Sequence, residues 1–448
     1  MAELKQWSKV PLYSKFKSFG KNEENKELIK HSLLALIIRV GGAGAAFIMN
    51  IIIARYLGAS EAGYFFLAVS ITTLVAGIGR IGADQTILRF VSIHSEKKEW
   101  GEVNAVMKKM LSWTYLPLIG LTALICIFSQ PISIYIFHKE ELRWPLFFTA
   151  LAMPFFAGYN VYGMALQGRR RVVESVTVLK ILTPVFFIIF VLIFAPKNSA
   201  NASVYYAAAC IFNLIAGLFW WNKNIKKTKE KKDFDSAVLW KSCWPLWISF
   251  IMQQLTIWGG QLVAGIFLSS KEVAQLAVGR NITVLVSFIL LAVNNVSSPR
   301  IAAMYNQGQT KKLKNYVRNA SRLMTIVALP ITLLIWFFPS LIMSLFGKGF
   351  AEGSIWILRI LAIGQFFAVI SGNVGTLLVM SGHERDLKNN RIINGVMAVV
   401  LAFILTPLFG VVGSAISTAI SMALFNILCV GYVKKRLGIS TLDIFGFK

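Results

Sequence analysis

Apolar residues dominate the chain in long runs, and short polar clusters separate one run from the next. A membrane-spanning helix needs about 20 mainly apolar residues, and twelve segments have this length and character. The pattern therefore predicts an all-α membrane protein with twelve transmembrane helices. The predicted spans cover residues 31–57, 63–91, 105–137, 142–167, 171–195, 202–221, 243–268, 273–301, 317–346, 351–380, 391–408 and 411–433.

Lysine and arginine are concentrated in alternate connections between these spans. Cytoplasmic loops of membrane proteins carry an excess of these residues, so the basic connections and both chain termini are expected in the cytoplasm. This arrangement requires an even number of spans, and twelve agrees with it. The intervening connections, among them residues 137–142, are expected on the outer side of the membrane.

The chain divides into two similar halves around its longest strongly polar interior stretch, residues 222–242. Glu61 and Arg89 of the first half correspond to Glu272 and Arg300 of the second, with the same number of residues separating each pair. The order of turn, helix and basic loop is repeated as well. Two six-helix bundles related by a pseudo-twofold axis along the membrane normal are expected, with a cavity between them. The predicted units are a basic N-terminal segment (1–30), an N-terminal bundle (31–221), a basic linker (222–242), a C-terminal bundle (243–433) and a tail (434–448).

Composition narrows the class of function. The 448 residues are 56% hydrophobic and 15% charged, and their formal net charge is +26. Such a charge also suits a nucleic-acid binder, but the basic residues lie in short clusters between apolar runs rather than on one soluble domain. We therefore expect membrane lipids and not nucleic acid as partners. The basic N-terminal segment is either an interfacial segment on an anionic leaflet or a solvated tail.

The chemistry of an enzyme is not evident in the sequence. The four cysteines lie in or beside apolar segments without metal-ligand spacing, and the four histidines fall at predicted membrane edges or in loops. A phosphate-binding loop of the GxxxxGK type is absent, which argues against ATP hydrolysis. We predict a protein that is not an enzyme and holds no cofactor or metal. A membrane polymerase or acyltransferase would need catalytic residues and usually a large outer loop, whereas the predicted outer connections are short.

Charged side chains lie several turns inside predicted spans at Arg39, Arg80, Lys180 and Arg280, and Asp84 is the foremost carboxylate at comparable depth. A charge at the bilayer centre costs at least about 2.5–3.5 kcal/mol on insertion scales, so such residues normally face a bundle interior or a wet cavity. Structural alternatives remain for some of them. Arg80 and Asp84 are four residues apart and can pair on one helix face, and Arg39 and Lys180 can snorkel towards the membrane surface.

The imbalance of buried charge favours an anionic ligand. Guanidinium groups bind phosphate oxygens in bidentate fashion, and apolar walls suit a ligand whose lipid tail stays in the bilayer. Gln254 and Gln261 share one face of a predicted helix, and Gln261 stands at the repeat position of Asn50. The candidate substrate-binding residues are Arg39, Asn50, Arg80, Lys180, Gln254, Gln261 and Arg280, and Asp84 is the candidate for coupling to Na⁺ or H⁺.

The stretch Leu57–Tyr64 (LGASEAGY), with a following helix that ends in Thr86–Phe90 (TILRF), resembles the N-terminal pattern of the polysaccharide-biosynthesis (Wzx-type O-antigen) flippases. These belong to the multidrug/oligosaccharidyl-lipid/polysaccharide exporter superfamily, and many members have a proline near Ala59, which this chain lacks. The resemblance implies alternating access and transport of an undecaprenyl-pyrophosphate-linked oligosaccharide across the bacterial inner membrane. It also implies partnership with a polysaccharide polymerase and a chain-length regulator.

A cation-coupled multidrug or metabolite antiporter of the same superfamily is the alternative function. It would share the twelve-helix architecture and the use of Na⁺ or H⁺. A cationic substrate would favour carboxylates in the cavity, and the predicted spans contain few of them. The two hypotheses therefore differ in the sign of the charge expected at the site.

Overall fold

The computed structural model describes residues 23–224, 234–351, 354–439 and 441, with side chains from Ile38 onwards except those of residues 224, 291, 292, 295 and 296. All regular secondary structure in these residues is helical. Short π-helical or 3₁₀ turns occupy Ile132–Ile136, Glu140–Leu142, Thr177–Ile181 and Val284–Ser287. The α-helices are α1 (Glu23–Gly79), α2 (Ala83–Glu96), α3 (Trp100–Pro131), α4 (Arg143–Gly168), α5 (Val172–Val176), α6 (Leu182–Phe194), α7 (Ser199–Asn224), α8 (Ser236–Phe267), α9 (Ser270–Thr283), α10 (Phe288–Asn306), α11 (Thr310–Phe337), α12 (Pro339–Ser344), α13 (Lys348–Ala351), α14 (Ile355–Ile370), α15 (Val374–Met380) and α16 (Glu384–Leu437).

Eight helical stretches within the described ranges are long and apolar enough to cross a membrane. Two of them, Ile38–Gly79 and Glu384–Leu437, are 42 and 54 residues long. Each contains one residue with non-helical backbone angles, Gly58 or Gly410, whose positive φ suits glycine. Because about 20 residues suffice for one crossing, each of these stretches has room for two. The all-helical membrane fold expected from the sequence is confirmed at this level.

The stretch Leu57–Tyr64 joins several helices through three of its residues. Gly58 has a φ of 73°, and this non-helical angle produces a kink in α1 at this residue. The Glu61 carboxylate accepts hydrogen bonds from the backbone N–H and the hydroxyl of Ser199, at 2.7 and 2.6 Å. A carboxylate at the start of α7 satisfies an otherwise free amide and complements the helix dipole. Gly63 packs directly against the backbone of Ser270 at the start of α9.

The two halves of the chain meet along the part of α1 that follows Gly58. We call the end of the molecule at Gly58 and Ser270 the Gly58 end, and the end where α7 stops and α8 starts the linker end. From one end towards the other, α1 contacts α9 and α8 through Gly63, then Phe66, then Gly77. At Phe66, the carbonyl oxygen accepts a hydrogen bond from the Gln261 side chain at 3.1 Å. This line of contact brings charged positions of the first half close to α8.

Polar contacts also tie the two halves together at the Gly58 end. Burial lowers the pKa of the Lys139 ammonium, and the negative charge of Glu272 opposes this shift. The ammonium is nevertheless held by carbonyl oxygens of both halves, so this end of the interface is closed. The contacts across the halves here are Lys139 Nζ to Gly265 O (2.7 Å), Arg55 Nε to Leu345 O (2.7 Å), Ser60 Oγ to Ser270 Oγ (3.3 Å) and the Phe47 ring edge-on to that of Phe346 (5.6 Å).

Substitution of Gly63 tests the closeness of this contact. A Cβ atom at Gly63 would lie 1.9 Å from the carbonyl oxygen of Ser270, and neither backbone can move without its helix. We expect Gly63→Ala to lower the midpoint of thermal unfolding of the purified protein, because overpacking typically costs about 1–3 kcal/mol.

Gly41→Ala is the matched control, since a Cβ atom there would meet nothing within 4 Å. Alanine in a helix interior is favoured over glycine by roughly 0.5–1 kcal/mol, so this midpoint should stay constant or rise. Equal midpoints for the two variants, measured by unfolding in the same detergent, would contradict the close approach of α1 and α9.

Candidate functional site

The predicted helix over residues 63–91 is interrupted at its most polar point. In the structure α1 ends at Gly79 and α2 begins at Ala83, so the prediction of one continuous helix is wrong. Ile81 and Gly82 have φ angles of 48° and 74°. A left-handed conformation costs a β-branched residue such as isoleucine roughly 1–2 kcal/mol. Broken helices at membrane depth are typical of transporter binding sites, where freed backbone groups line a cavity.

Arg80 lies at this break and is only 6% exposed. Its Nη2 atom is 3.2 Å from Oδ2 of Asp84, so the ion pair predicted from their spacing is present. The guanidinium also lies 5.4 Å from the ring centroids of Phe156 and Phe250. Its Nε and Nη1 atoms, and Oδ1 of Asp84, have no hydrogen-bond partner among the described residues. Asp84 therefore pairs with only one of the three nitrogen atoms of this buried guanidinium group.

A small cavity of about 20 Å³ lies beside the Arg80–Asp84 pair, between the two halves. A void of this size holds roughly one water molecule, or one oxygen atom of a ligand. Buried donors without partners are costly, so an oxygen atom at this place would stabilise the pair. The walls of the cavity are formed by Gly77, Arg80, Gly82, Asp84, Gln85, Leu246 and Phe250.

Helix α8 covers the break from the second half. Trp247 donates a hydrogen bond from Nε1 to the carbonyl oxygen of Ile78 at 2.9 Å. In a continuous helix that oxygen would accept from the amide of residue 82. The Cys243 thiol lies 3.3 Å from the hydroxyl of Thr86, and a Cβ atom on Gly82 would lie 2.6 Å from the Cys243 carbonyl oxygen. Glycine at position 82 is therefore required both for the turn and for the close approach of α8.

Two further basic residues that are predicted to bind substrate lie near Arg80 in the first half. Lys180 belongs to the π-helical turn Thr177–Ile181, and its exposed side chain lies within electrostatic range of Arg39 and Arg80. The backbone of this turn packs closely on α1, because a Cβ atom on Gly42 would lie 3.1 Å from the Lys180 carbonyl oxygen. Single π-helical turns often mark functional sites. The structure thus brings two candidate cations within electrostatic range of Lys180, and one of them, Arg80, is paired with Asp84.

Arg280 lies apart from this cluster, on α9 of the second half. Its Nη1 atom donates a hydrogen bond to the carbonyl oxygen of Ile257 at 2.7 Å. The guanidinium stacks 4.0 Å above the centroid of the Trp258 ring. A backbone carbonyl and a ring face together reduce the cost of holding this cation in the membrane. Arg280 therefore already has partners on α8.

The three amide side chains that are predicted to bind substrate have different surroundings. Asn50 donates to the carbonyl oxygen of Ala46, one turn earlier in its own helix, at 2.7 Å. Gln261 is buried and joins the halves through Phe66, as described above. Gln254 is half-buried beside Gly77, next to the small cavity. Of the three, Gln254 lies nearest to the Arg80–Asp84 pair.

Some residues at the site were not predicted. Phe250 and Trp247 contact the break, and Cys243 was interpreted only as a small buried hydrophobe. The internal repeat could have pointed to Phe250. Phe250 and the candidate residue Arg39 are separated by the same number of residues as Glu272 and Glu61. The sequence carries no comparable signal for Trp247, because its partner is a backbone carbonyl far away in the chain.

Comparison with known proteins identifies the family. The sequence profile of the family described as "Polysaccharide biosynthesis protein" matches residues 28–305, and that of the MatE family matches residues 245–408. The first match covers more than half of the chain, which therefore belongs to the polysaccharide biosynthesis protein family. The expectation from the Leu57–Tyr64 pattern is confirmed.

Individual relatives agree with this assignment. The chain is 24% identical over 421 residues to a probable low-salt glycan biosynthesis flippase, Agl15, of Haloferax volcanii, covering 92% of this chain and 85% of that protein. It is 21% identical over 389 residues to a putative O-antigen transporter of Shigella flexneri, covering 83% and 89%. The solved structure of the lipid II flippase MurJ in an inward closed conformation superimposes with a TM-score of 0.72 at 15% identity, covering 91% of this chain and 87% of that one. The fold is thus that of a multi-pass membrane transporter.

Replacing Trp247 by phenylalanine tests how α8 supports the break. The variant keeps a ring but loses the donor to the Ile78 carbonyl oxygen. One hydrogen bond contributes about 0.5–1.5 kcal/mol, so amide hydrogen exchange in peptides covering residues 76–84 should become roughly 2- to 10-fold faster.

Trp144→Phe is the control, because this ring is 50% exposed on α4 and packs on Phe147 and Phe148, away from the break. It should leave exchange in residues 76–84 as in the unchanged protein. Exchange that is equally slow in Trp247→Phe would show that the bond to Ile78 does not hold the break.

Proposed function

We propose that this chain is a flippase for a lipid-linked oligosaccharide. Its substrate is an undecaprenyl-pyrophosphate-linked repeat unit of O-antigen or a related polysaccharide, which it moves across the bacterial inner membrane by alternating access. The observation that carries this proposal is the cluster of Arg39, Lys180 and Arg80, in which two guanidinium nitrogens of Arg80 have no partner among the described residues. The named functions of the glycan flippase and O-antigen transporter relatives support it.

The charge of the cluster fits a pyrophosphate. Lys180 lies within electrostatic range of Arg39 and Arg80. Arg80 is the one paired with Asp84, and a guanidinium offers phosphate oxygens a bidentate, charge-assisted contact. The same arrangement would repel a cationic drug, so the charge favours the flippase over the antiporter. The polar units of the sugar then face the second half, where Gln254 and the Arg280–Trp258 pair lie on or beside α8.

Asp84 is the coupling residue in this scheme. A phosphate oxygen that binds Arg80 competes with Asp84 for the same guanidinium, to which Asp84 is paired at 3.2 Å. Once it loses that partner, the carboxylate oxygens are available to the coupling ion. Substrate binding and ion binding are thereby linked at one pair of side chains.

The chain crosses the membrane twelve times in this proposal. The eight apolar stretches supply ten crossings when the two bent ones are each counted twice, and α4 and α8, with 26 and 32 residues, add two. The concentration of lysine and arginine in alternate connections then supports a cytoplasmic linker end with both termini on that side. The Gly58 end faces outwards, and the flipped unit is handed there to the polysaccharide polymerase and its chain-length regulator.

The contacts between the halves at the Gly58 end support a transport cycle in which the substrate enters from the cytoplasmic side. Four contacts between the halves close the Gly58 end. Gly41 and Gly44, about 20 Å or more along α1 from Gly58, face open space instead. A substrate entering from the cytoplasmic leaflet would meet the cation cluster before it reached the closed end.

Graded substitutions of the cluster test the function. In a strain lacking its own flippase, surface display of the finished polysaccharide should fall roughly 10- to 100-fold for Arg80→Ala, since a hydrogen bond to a charged group contributes about 1.5–3 kcal/mol. Arg80→Lys should be intermediate, because it keeps the charge but loses the planar fork. The same order is expected at Arg39, and Lys180→Ala should also reduce display.

Membrane abundance is measured for each variant, so that lost display is not mistaken for lost protein. Arg359→Ala is the matched control, because Arg359 stacks on Trp336 and Trp356, outside the cluster. Asp84→Asn should remove the ion dependence of transport as well as reduce its rate. Full display by the triple alanine variant of Arg39, Arg80 and Lys180 at normal abundance would disprove the proposed site.

Single-cysteine labelling tests the orientation on a background without the four native cysteines. We expect a membrane-impermeant maleimide to label Glu140→Cys in intact cells and to label Thr228→Cys only after the membrane is opened. Labelling of Thr228→Cys in intact cells would show that the orientation, and with it the direction of transport, is the opposite of the one proposed.

A further inference from the structure

A second and larger cavity lies on the outer surface of the helices that surround the break. It is a groove of about 610 Å³ between α3 of the first half and the first turns of α8 of the second, with Ile81 at its base. Ligand pockets of proteins typically measure about 300–1,000 Å³, so the groove is large enough for one chain-like ligand. It is lined by Ile81, Trp113, Leu116, Pro117, Ser236, Ala237 and Trp240.

The sequence explains why a groove forms here. Pro117 lies inside α3, where it removes a backbone hydrogen bond and prevents regular packing against a neighbour. Ser236 and Ala237 are small residues at the start of α8 and leave space opposite it. The Trp113 and Trp240 rings meet edge-to-face at 5.9 Å and bridge the two helices. The groove therefore has apolar and aromatic walls held in place by both halves.

The groove is separate from the cavity at the Arg80–Asp84 pair. Ile81 lines the groove, whereas its neighbours Arg80 and Gly82 line the small inner cavity. Leu116 is 78% exposed on the groove side, which identifies this as a surface that faces the membrane. The break thus presents one residue to the surrounding lipid and the residues on either side of it to the proposed substrate site.

We propose that this groove binds one hydrocarbon chain of an anionic membrane phospholipid. Tryptophans such as Trp113 and Trp240 are enriched where a protein crosses the lipid headgroup level, which places the mouth of the groove there. Lys241, which follows Trp240 in the sequence, is exposed and offers a positive charge to a phosphate of the headgroup. The chain then runs inwards past Trp113 to Leu116 and Pro117.

A lipid chain in this groove acts on the helix break. Ile81 has a left-handed backbone conformation, and its contact with the chain stabilises the conformation in which the helix is interrupted. A ligand that binds one state of a protein increases the population of that state. Phospholipid composition would therefore influence the position of Arg80, even though the lipid does not touch it.

Fluorescence quenching by brominated lipid tests the proposal on the full chain in detergent. The chain has 12 tryptophans, so the signal of interest is the difference between the unchanged protein and a Trp113→Phe, Trp240→Phe double variant. We expect phosphatidylglycerol with a brominated chain to quench this difference signal saturably, and unbrominated phosphatidylglycerol to reverse the quenching. Ala237→Phe fills the groove and should abolish the effect.

Val238→Phe is the matched control, because Val238 is 43% exposed on the same helix but does not line the groove. Lys241→Gln should weaken phosphatidylglycerol binding about fivefold, as expected for one basic residue near an anionic headgroup. Quenching that does not saturate, or that Ala237→Phe and Val238→Phe alter equally, would overturn the proposal. Stronger competition by an undecaprenyl phosphate than by phosphatidylglycerol would also overturn it and assign the groove to an isoprenoid chain.

Discussion

A guanidinium group inside a membrane has to be surrounded by partners, and much of this structure is arranged around one such group. Arg80 has a carboxylate four residues away, aromatic rings from both halves, and two nitrogens with no partner among the described residues. Because a desolvated charge is costly, the helix that carries it is interrupted, and α8 covers the interruption. The contact between the two halves therefore depends on the placement of this single charge.

Small residues make that contact possible on both sides of the charge. Gly63 at one end of the interface and Gly82 at the other each lie against a backbone of the second half, and Gly77 lies against the Phe250 ring between them. A Cβ atom at Gly63 or Gly82 would lie 1.9 or 2.6 Å from a backbone carbonyl oxygen of the second half, so a side chain there would force the two halves to shift. The same close approach brings the walls of the inner cavity and of the lipid groove within one residue of each other at Ile81.

The sequence was sufficient for features that depend on local spacing or on composition. The membrane class, the family and the Arg80–Asp84 pair follow from apolar length, a short motif and a spacing of four residues. The break was not assigned, although the glycines at 77, 79 and 82 also suit a hinge, because they equally suit close helix packing and contact with α8 is what makes the turn favourable. Asn50 and Gln261 remain predicted substrate contacts, and the sequence did not reveal that each donates a hydrogen bond to a backbone carbonyl.

The bond between Glu61 and Ser199 has a consequence for biogenesis. The two residues are 138 positions apart, so Glu61 enters the membrane long before its partner has been synthesised. At a translation rate of about 5–20 residues per second, this carboxylate waits roughly 7–28 seconds for the N-terminus of α7. During that interval the hydrogen bonds that tie α1 to the start of α7 cannot form. The N-terminal half is thus completed as one unit when its last helix arrives.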